Sequence, residues 1–297
     1  MLFKSFGGKA LKSRYRFLLV MVKIIFLGVA GGRYATSKQL LETGGFVIKT
    51  NERTIAVDPG AGALVNLAKN KIDIEEITDI VITHNHVDHC SDVNVLINGM
   101  THGGRIKKGT LIANEELFDH ENSCLMKQHV DWFDRIVKLE KGKQVRISND
   151  FGLEPIETKH SISGFGIKFF FGNLTIAYSS DTEFSKNIVG QYKGSGVLIL
   201  NVMRPRDLRV AGHLCSDDVE TIINEVRPKL TLMTHFGIKM IEANPLYEAR
   251  RIQRNTRSNV VAAHDGLILD PESYSADGPQ SMLSEFLASV KDKPIGP

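Results

Sequence analysis

Short apolar runs recur along the chain, each bounded by Gly, Asn, Asp or Pro, with amphipathic stretches between them. Runs rich in β-branched and aromatic residues with such boundaries read as strands. The pattern predicts strands at 23–29, 45–50, 53–58, 79–83, 110–114, 167–171, 174–179, 197–202, 230–234 and 259–262. Helical spacing predicts helices at 61–70, 91–100, 128–137, 216–226 and 244–254. Asp217 and Asp218 place acids at the start of the fourth helix, where its dipole favours them. Asn51-Glu52-Arg53 and Gly172-Asn173 have the composition of hairpin connections. No repeat, low-complexity tract or long linker interrupts the alternation, so one mixed α/β domain over 23–270 is expected. The tail at 271–297 is read as peripheral, with a last amphipathic stretch at 281–291.

One strand end carries unusual chemistry. Ile80-Val81-Ile82-Thr83 runs into His84-Asn85-His86-Val87-Asp88-His89, three histidines and an aspartate within six residues. Imidazole and carboxylate are natural ligands of Zn, Mn or Fe. His84 and His86, two apart in extended chain, can project toward one metal, while Asp88 and His89 follow the turn and can address a second. A solvated histidine-rich loop is the plain alternative, and HxHxDH at a strand end is too specific for it. Three more metal-capable side chains end apolar strands: His160 after 154–158, Asp181 after Thr175-Ile176-Ala177-Tyr178-Ser179-Ser180, and His235 after Leu230-Thr231-Leu232-Met233-Thr234.

On these residues the chain resembles the metallo-β-lactamase-fold hydrolases over about 23–270. The resemblance implies an α/β fold of the αββα sandwich type, two mixed β-sheets flanked by helices. It implies two divalent ions, zinc first, with Mn or Fe as alternatives. His84, His86 and His160 would bind one ion, Asp88, His89 and His235 the other, and Asp181 would bridge them. Asp58, in Val57-Asp58-Pro59-Gly60, matches an early aspartate that supports the metal loop from behind. True zinc β-lactamases commonly carry cysteine where this chain has Asp181, and a hard bridging carboxylate suits a dinuclear hydrolytic centre. Cys90, next to His89, reads as a buried thiol rather than a ligand.

Val210-Ala211-Gly212-His213-Leu214-Cys215 precedes the 216–226 helix. This Gly-His turn, helix, strand and ligand histidine resemble the phosphodiesterase branch: ribonuclease Z, the phosphoribosyl cyclic phosphodiesterases and related nucleases. There the histidine contacts the scissile phosphate or leaving oxygen. The resemblance thus implies a hydrolase in which a hydroxide bridging two metals attacks a phosphodiester. Asp88 would orient the water or take its proton, and a cationic His213 would assist the leaving group. The plain reading of His213 is a helix cap. Arg204, Arg206 and Arg209, just upstream, suit an anionic substrate, and a solvated basic loop explains them about as well. Arg105, Lys107 and Lys108 are a weaker version of the same signal. His264 also ends a strand and is read as facing substrate or standing behind the ligands. His102, His120 and His129 are read as ordinary surface histidines.

The intervals bear on substrate size. Ribonuclease Z typically grips tRNA with an arm between the equivalents of His160 and Asp181, and here two predicted strands fill that interval. The span from Asp181 to His213 is likewise too short for the large inserted domain of the β-CASP nucleases. A small or cyclic phosphodiester, or an RNA end, is the expected substrate, with a nucleic-acid partner left open and a homodimer compatible. The cyclic phosphodiesterases often add a cysteine-ligated zinc, for which this chain lacks the cysteines. Alternatives on the same fold are a lactone or thioester hydrolase, a mononuclear-iron dioxygenase and a non-enzymatic scaffold.

Charge modifies this picture little. The 297 residues carry 37 Lys+Arg against 34 Asp+Glu, a net charge of +3, and the pI is about 8.6. Residues 1–22 hold five of the bases and no acid, leaving 32 bases against 34 acids in the body. Tight nucleic-acid binding needs a clear basic face, which this balance does not suggest. The apolar run Phe17-Leu18-Leu19-Val20-Met21-Val22 is too short to span a membrane and is cut by Lys23, so residues 1–20 read as a basic extension rather than a leader. Three scattered cysteines, Cys90, Cys124 and Cys215, give no disulfide framework and fit a reducing cytoplasm. Hydrophobic content of 42% and charged content of 24% exclude disorder, collagen and coiled coil as the main state. Deleting residues 1–20 is expected to remove the basic pI and leave turnover intact; lost activity in the truncated protein would give the extension a role.

Overall fold

A computed structural model describes residues 21–119, 121 and 123–274. The extension at 1–20, His120 and the stretch at 281–291 lie outside the described residues. The first sheet contains β1 (Lys23–Phe26), β2 (Phe46–Lys49), β3 (Thr54–Val57), β4 (Asp79–Ile82), β5 (Thr110–Asn114) and β6 (Arg135–Leu139) in that order, with β15 (Ile268–Leu269) outside β1. The second contains β7 (Val145–Arg146), β8 (Phe151–Glu157), β9 (Phe165–Phe171), β10 (Leu174–Tyr178), β11 (Val197–Arg204), β13 (Leu230–Thr234) and β14 (Val260–Ala262), with the short β12 (Leu214–Cys215) beside β11.

Each sheet is mixed in the same way. Strands β1 to β3 pair antiparallel and β3 to β6 pair parallel. Strands β7 to β10 pair antiparallel, and β10, β11, β13 and β14 pair parallel. The carboxyl ends of parallel strands are where open α/β sheets present their ligand-binding loops. The HxHxDH loop leaves β4, Asp181 follows β10, and His235 follows β13.

Alternation of side chains produces the layers. Ile24 and Phe26 of β1 point between the sheets and join Phe46, Phe151, Phe169, Phe171 and Ile176 in one core. Ile25 and Leu27 point the other way, packing with Ile80, Ile82 and Leu111 beneath Leu67 of α2 (Ala63–Lys69) and Leu96, Ile97 and Met100 of α4 (Val93–Met100). On the far side Val189 and Tyr192 of α6 (Lys186–Tyr192), Val219, Ile222 and Ile223 of α7 (Ser216–Val226) and Ile252 of α9 (Pro245–Thr256) cover the second sheet. The result is the expected αββα sandwich. Short helices α1 (Arg33–Lys38), α3 (Val87–Cys90), α5 (Lys127–Val130) and α8 (Ile238–Ala243) complete it.

The helix expected at 128–137 is not one helix. Only α5 is helical, and Arg135–Leu139 is β6, paired parallel with β5 from Thr110↔Arg135 onward. Val137 and Leu139 are buried and their neighbours Ile136 and Lys138 exposed, a period of two that a short apolar run conceals. His129 is likewise buried rather than superficial: its Nδ1 lies 2.9 Å from Asn94 Oδ1, its ring 4.5 Å from that of Trp132, and burial lowers its pKa. His102 is exposed beside Glu75, as a surface histidine should be. Both expected hairpins form, β2–β3 across 51–53 and β9–β10 across Gly172-Asn173. Truncating Phe169, fully buried in the inter-sheet core, is expected to cost about 3–5 kcal/mol, read as a lowered urea midpoint for Phe169→Ala. An unchanged midpoint would contradict the assigned core.

Candidate metal centre

The site begins with a buried carboxylate. Asp58, at the end of β3, accepts hydrogen bonds from the Thr83 backbone N–H (2.8 Å), the Thr83 hydroxyl (2.8 Å), the Tyr178 hydroxyl (2.9 Å) and His89 Nδ1 (2.9 Å). Thr83 directly follows β4 and Tyr178 ends β10, so one side chain ties the two sheets together where the HxHxDH loop departs. Donation from Nδ1 aims His89 Nε2 at the other candidate ligands, where loss of its proton frees the lone pair that a metal ligand requires. His84 is set the same way, with Nδ1 3.0 Å from the Thr83 hydroxyl oxygen. His160 donates from Nδ1 to the Gly212 carbonyl at 2.9 Å. Gly212 has φ of 80°, and a Cβ there would lie 2.6 Å from the His160 ring, so the glycine of the Gly-His turn makes room for that imidazole.

The free nitrogens converge. His86 Nδ1 lies 3.1 Å from His84 Nε2 and 3.1 Å from His160 Nε2. His89 Nε2 lies 3.1 Å from His235 Nε2, which is 3.4 Å from Asp88 Oδ2. Asp181 touches both groups: Oδ2 is 3.4 Å from His89 Nε2, 3.8 Å from His84 Nε2 and 3.9 Å from His160 Nε2, while Oδ1 is 3.4 Å from His235 Nε2. Bonds of about 2.0–2.1 Å to a tetrahedral ion put neighbouring ligand atoms about 3.3 Å apart. The donor set therefore fits divalent metal: His84, His86, His160 and Asp181 form one group, and Asp88, His89 and His235 another. His213 is in contact with the same carboxylate, its Nδ1 3.6 Å from Asp181 Oδ2, buried and without a hydrogen-bond partner.

The electrostatics are those of a charge cluster short of cations. Burial works to raise the Asp88 and Asp181 carboxyls, and the His89 and His235 imidazoles nevertheless hold both well below the ordinary carboxylate range. Burial works to lower His89, yet Asp181, Asp58 and Asp88 hold it well above the usual imidazole value. His84 and His86 are lowered, mainly by burial and then by neighbouring imidazoles. Burial brings His213 down to about 4, so its ring is neutral at pH 7 before substrate arrives. Burial and the hydroxyl's contact with Asp58 push Tyr178 up, keeping it a donor.

Several supports carry no motif. Asn201 donates to Asp181 Oδ1 at 2.7 Å and to the Tyr178 hydroxyl at 3.2 Å. The Gly32 N–H donates to Asp88 Oδ2 at 2.8 Å. Gly31 lies against the His235 ring, where a Cβ would come within 2.1 Å. Above the cluster opens a cavity of about 540 Å³, lined by residues that include His86, Asp88, His160, Asp181, His213 and Arg204. The structure does not bring every expected residue there. Arg206 pairs with Glu248 at 2.9 Å and Arg209 with Asp218, both on the helix side. His264 is exposed, and its neighbour Asp265 turns inward instead, accepting from the N–H groups of Val29 (3.1 Å) and Glu42 (3.0 Å). Cys90 is buried behind the loop, its thiol 3.1 Å from the His86 carbonyl, and its pKa is raised by contact with Cys124 and by burial.

Comparison with known proteins places this arrangement among relatives. The family model described as anti-Pycsar protein Apyc1 matches residues 22–254. An uncharacterized protein of Methanocaldococcus jannaschii is 37% identical over 253 residues, covering 83% of this chain and 94% of that one. The crystal structure of the metallo-β-lactamase fold protein YhfI from Bacillus subtilis superposes with a TM-score of 0.71 at 18% identity, covering 84% and 99% of the two chains. A ribonuclease Z of Metallosphaera sedula is 22% identical over 78% of this chain and 94% of its own. The cAMP/cGMP-dependent 3′,5′-cAMP/cGMP phosphodiesterase B of Dictyostelium discoideum is 26% identical over 62% of this chain and 16% of its own.

Replacing the carboxylate behind His89 is expected to weaken metal affinity about 10–100-fold in Asp58→Asn, measured by competition with a chromophoric chelator. Wild-type affinity in that variant would contradict the tautomer argument. Because His89 is held protonated in the metal-free protein, metal binding must displace its proton. Affinity should fall as pH drops through neutrality, with proton release visible in calorimetry as buffer-dependent heat; a flat pH dependence would exclude His89 as a ligand.

Proposed function

The chain belongs to the anti-Pycsar protein Apyc1 family and is a metal-dependent hydrolase of the metallo-β-lactamase fold, and from that premise we propose that it cleaves a small or cyclic phosphodiester at a dinuclear centre. The observation that carries the proposal is Asp181, one buried carboxylate within 3.4–3.9 Å of ligand nitrogens from both groups. His84, His86 and His160 would hold one ion and Asp88, His89 and His235 the other, with Asp181 between them. Zinc is the first expectation, with Mn or Fe accommodated by the same donors. Bound divalent ions lower the pKa of water toward neutrality and offset charge on phosphoryl oxygens.

The remaining chemistry belongs to the chain. Asp88, kept ionised and fixed by the Gly32 N–H, is an acceptor that can orient the attacking water or take its proton. His213 faces the shared carboxylate from the Gly-His turn. An incoming phosphate anion raises the pKa of this neutral ring, and the proton then gained is available to the leaving oxygen. Arg204, at the cavity wall, offers a guanidinium to a phosphate. Arg206 and Arg209 are spent on Glu248 and Asp218.

Three things favour a small substrate. The cavity, about 540 Å³, is in the size range of small-ligand sites. Between His160 and Asp181 the chain forms the β9–β10 hairpin. The body of the chain has no basic excess. The activity named for the Dictyostelium relative makes a cyclic nucleotide the leading candidate.

The test is turnover of bis-p-nitrophenyl phosphate, 2′,3′- and 3′,5′-cyclic nucleotides, a lactone and a pre-tRNA by the metal-loaded protein. Cyclic diester turnover abolished in Asp181→Ala is the expected result; lactone turnover alone would overturn the proposal. His213→Ala should lower kcat by about 10²–10⁴-fold with metal content unchanged, the range for losing a positioned acid or base. Loss of metal from that variant would make His213 a ligand instead.

A further inference from the structure

One large aromatic side chain stands at the cavity apart from the histidine and aspartate cluster. Tyr34, in the first turn of α1, lines the cavity and is 74% exposed. Among the described residues no other phenyl, phenol or indole ring lines it. Isolated apolar residues on a surface are ordinary, so exposure alone means nothing. What distinguishes Tyr34 is how its backbone is held. Two residues before it, the Gly32 N–H is bonded to Asp88 Oδ2 at 2.8 Å; one residue earlier, the Gly31 N–H is bonded to the Phe236 carbonyl at 3.2 Å, with Gly31 pressed on the His235 ring. On its other side Ala35 and Thr36 are buried. The segment is thus fixed to two candidate ligands, Asp88 and His235, while the Tyr34 ring projects from it without a partner.

The rest of the cavity fits the same occupant. Met203 and Ile238 give it an apolar surface, and Met203 packs beside Gly32, where a Cβ would lie 2.7 Å from its terminal methyl. Arg33 and Arg204 line it as well, and no ion pair or hydrogen bond among the described residues engages either guanidinium. An aromatic ring on a fixed stretch of backbone, an apolar surface and two unengaged cations beside the candidate metal centre suit a ligand with a planar ring at one end and a phosphate at the other.

Resting on the phosphodiesterase reading above, we propose that Tyr34 is the base platform of the substrate site, stacking on the nucleobase of a cyclic nucleotide while its phosphate lies at the metal centre. Stacking uses the face of a base rather than its edge, so the platform accepts every base and selects for the presence of one. Tyr34 acts on binding and selectivity, and the bond-breaking step belongs to the metal centre and His213.

The experiment uses metal-loaded wild type, Tyr34→Ala and Tyr34→Phe. Each is assayed with adenosine cyclic phosphate and with the matching baseless ribose cyclic phosphate, both as 2′,3′- and 3′,5′-isomers. Wild type should favour the base-bearing diester. Tyr34→Ala should raise KM for it about tenfold or more with little change in kcat, and the kcat/KM preference for a base should collapse by the same factor. Tyr34→Phe should retain the preference, because stacking needs the ring and not the hydroxyl. Metal content should be equal in all three proteins. An unchanged preference in Tyr34→Ala, a loss of preference in Tyr34→Phe, or a wild type indifferent to the base would each overturn the platform while leaving diester hydrolysis standing. A wild type that hydrolyses neither diester would overturn the phosphodiesterase reading and the platform with it.

Discussion

Three buried carboxylates with no lysine or arginine beside them set the terms for this molecule. Asp58, Asp88 and Asp181 have side chains no more than 5% exposed, and every ion-pair partner they have among the described residues is an imidazole. Removing ionised carboxylates from water costs several kcal/mol each unless opposite charge is supplied. Part of the compensation comes from hydrogen bonds, four of them on Asp58 alone. Part comes from His89, held as a cation among the three acids. The remaining demand for positive charge falls where seven metal-capable side chains converge, and divalent metal bound there would answer it.

The fold exists to hold that convergence. Carboxyl ends of parallel strands from both sheets meet at one edge of the sandwich, which brings β4, β10 and β13 within reach of each other. Isolated bridges between Ala30 and Phe236 and between His84 and Gly164 stitch the sheets together beside the site. Imidazole nitrogens 3.1 Å apart repel one another when both present lone pairs, so the surrounding grip of Asp58, Gly212 and Gly31 has to be tight. The same grip fixes the Gly31-Gly32-Arg33-Tyr34 segment, and so couples the shape of the cavity to the candidate metal centre.

Much of this could be read from the chain. HxHxDH is local, and a strand running into it fixes both the direction and the spacing of its side chains. His160, Asp181 and His235 were legible because each ends an apolar run. The supports were not, because they are contacts across the sandwich. Tyr178 meets Asp58 from 120 residues away, and nothing in its own neighbourhood marks it. The arginines show the opposite failure: proximity to His213 in sequence suggested the cavity, but acids from α7 and α9 claim Arg206 and Arg209. His264 points outward because the chain turns at this strand end, presenting Asp265 instead to the Val29 and Glu42 amides. The mistaken helix at 128–137 reflects a run too short for its period to be resolved.

The claim on which the account turns is that Asp181 stands between two ions. Anomalous-difference density from crystals of the zinc- or manganese-loaded protein tests it directly. The expected result is two peaks about 3.5–4 Å apart with the Asp181 carboxylate between them. A single peak on His84, His86 and His160, or a pair that Asp181 does not contact, would contradict it.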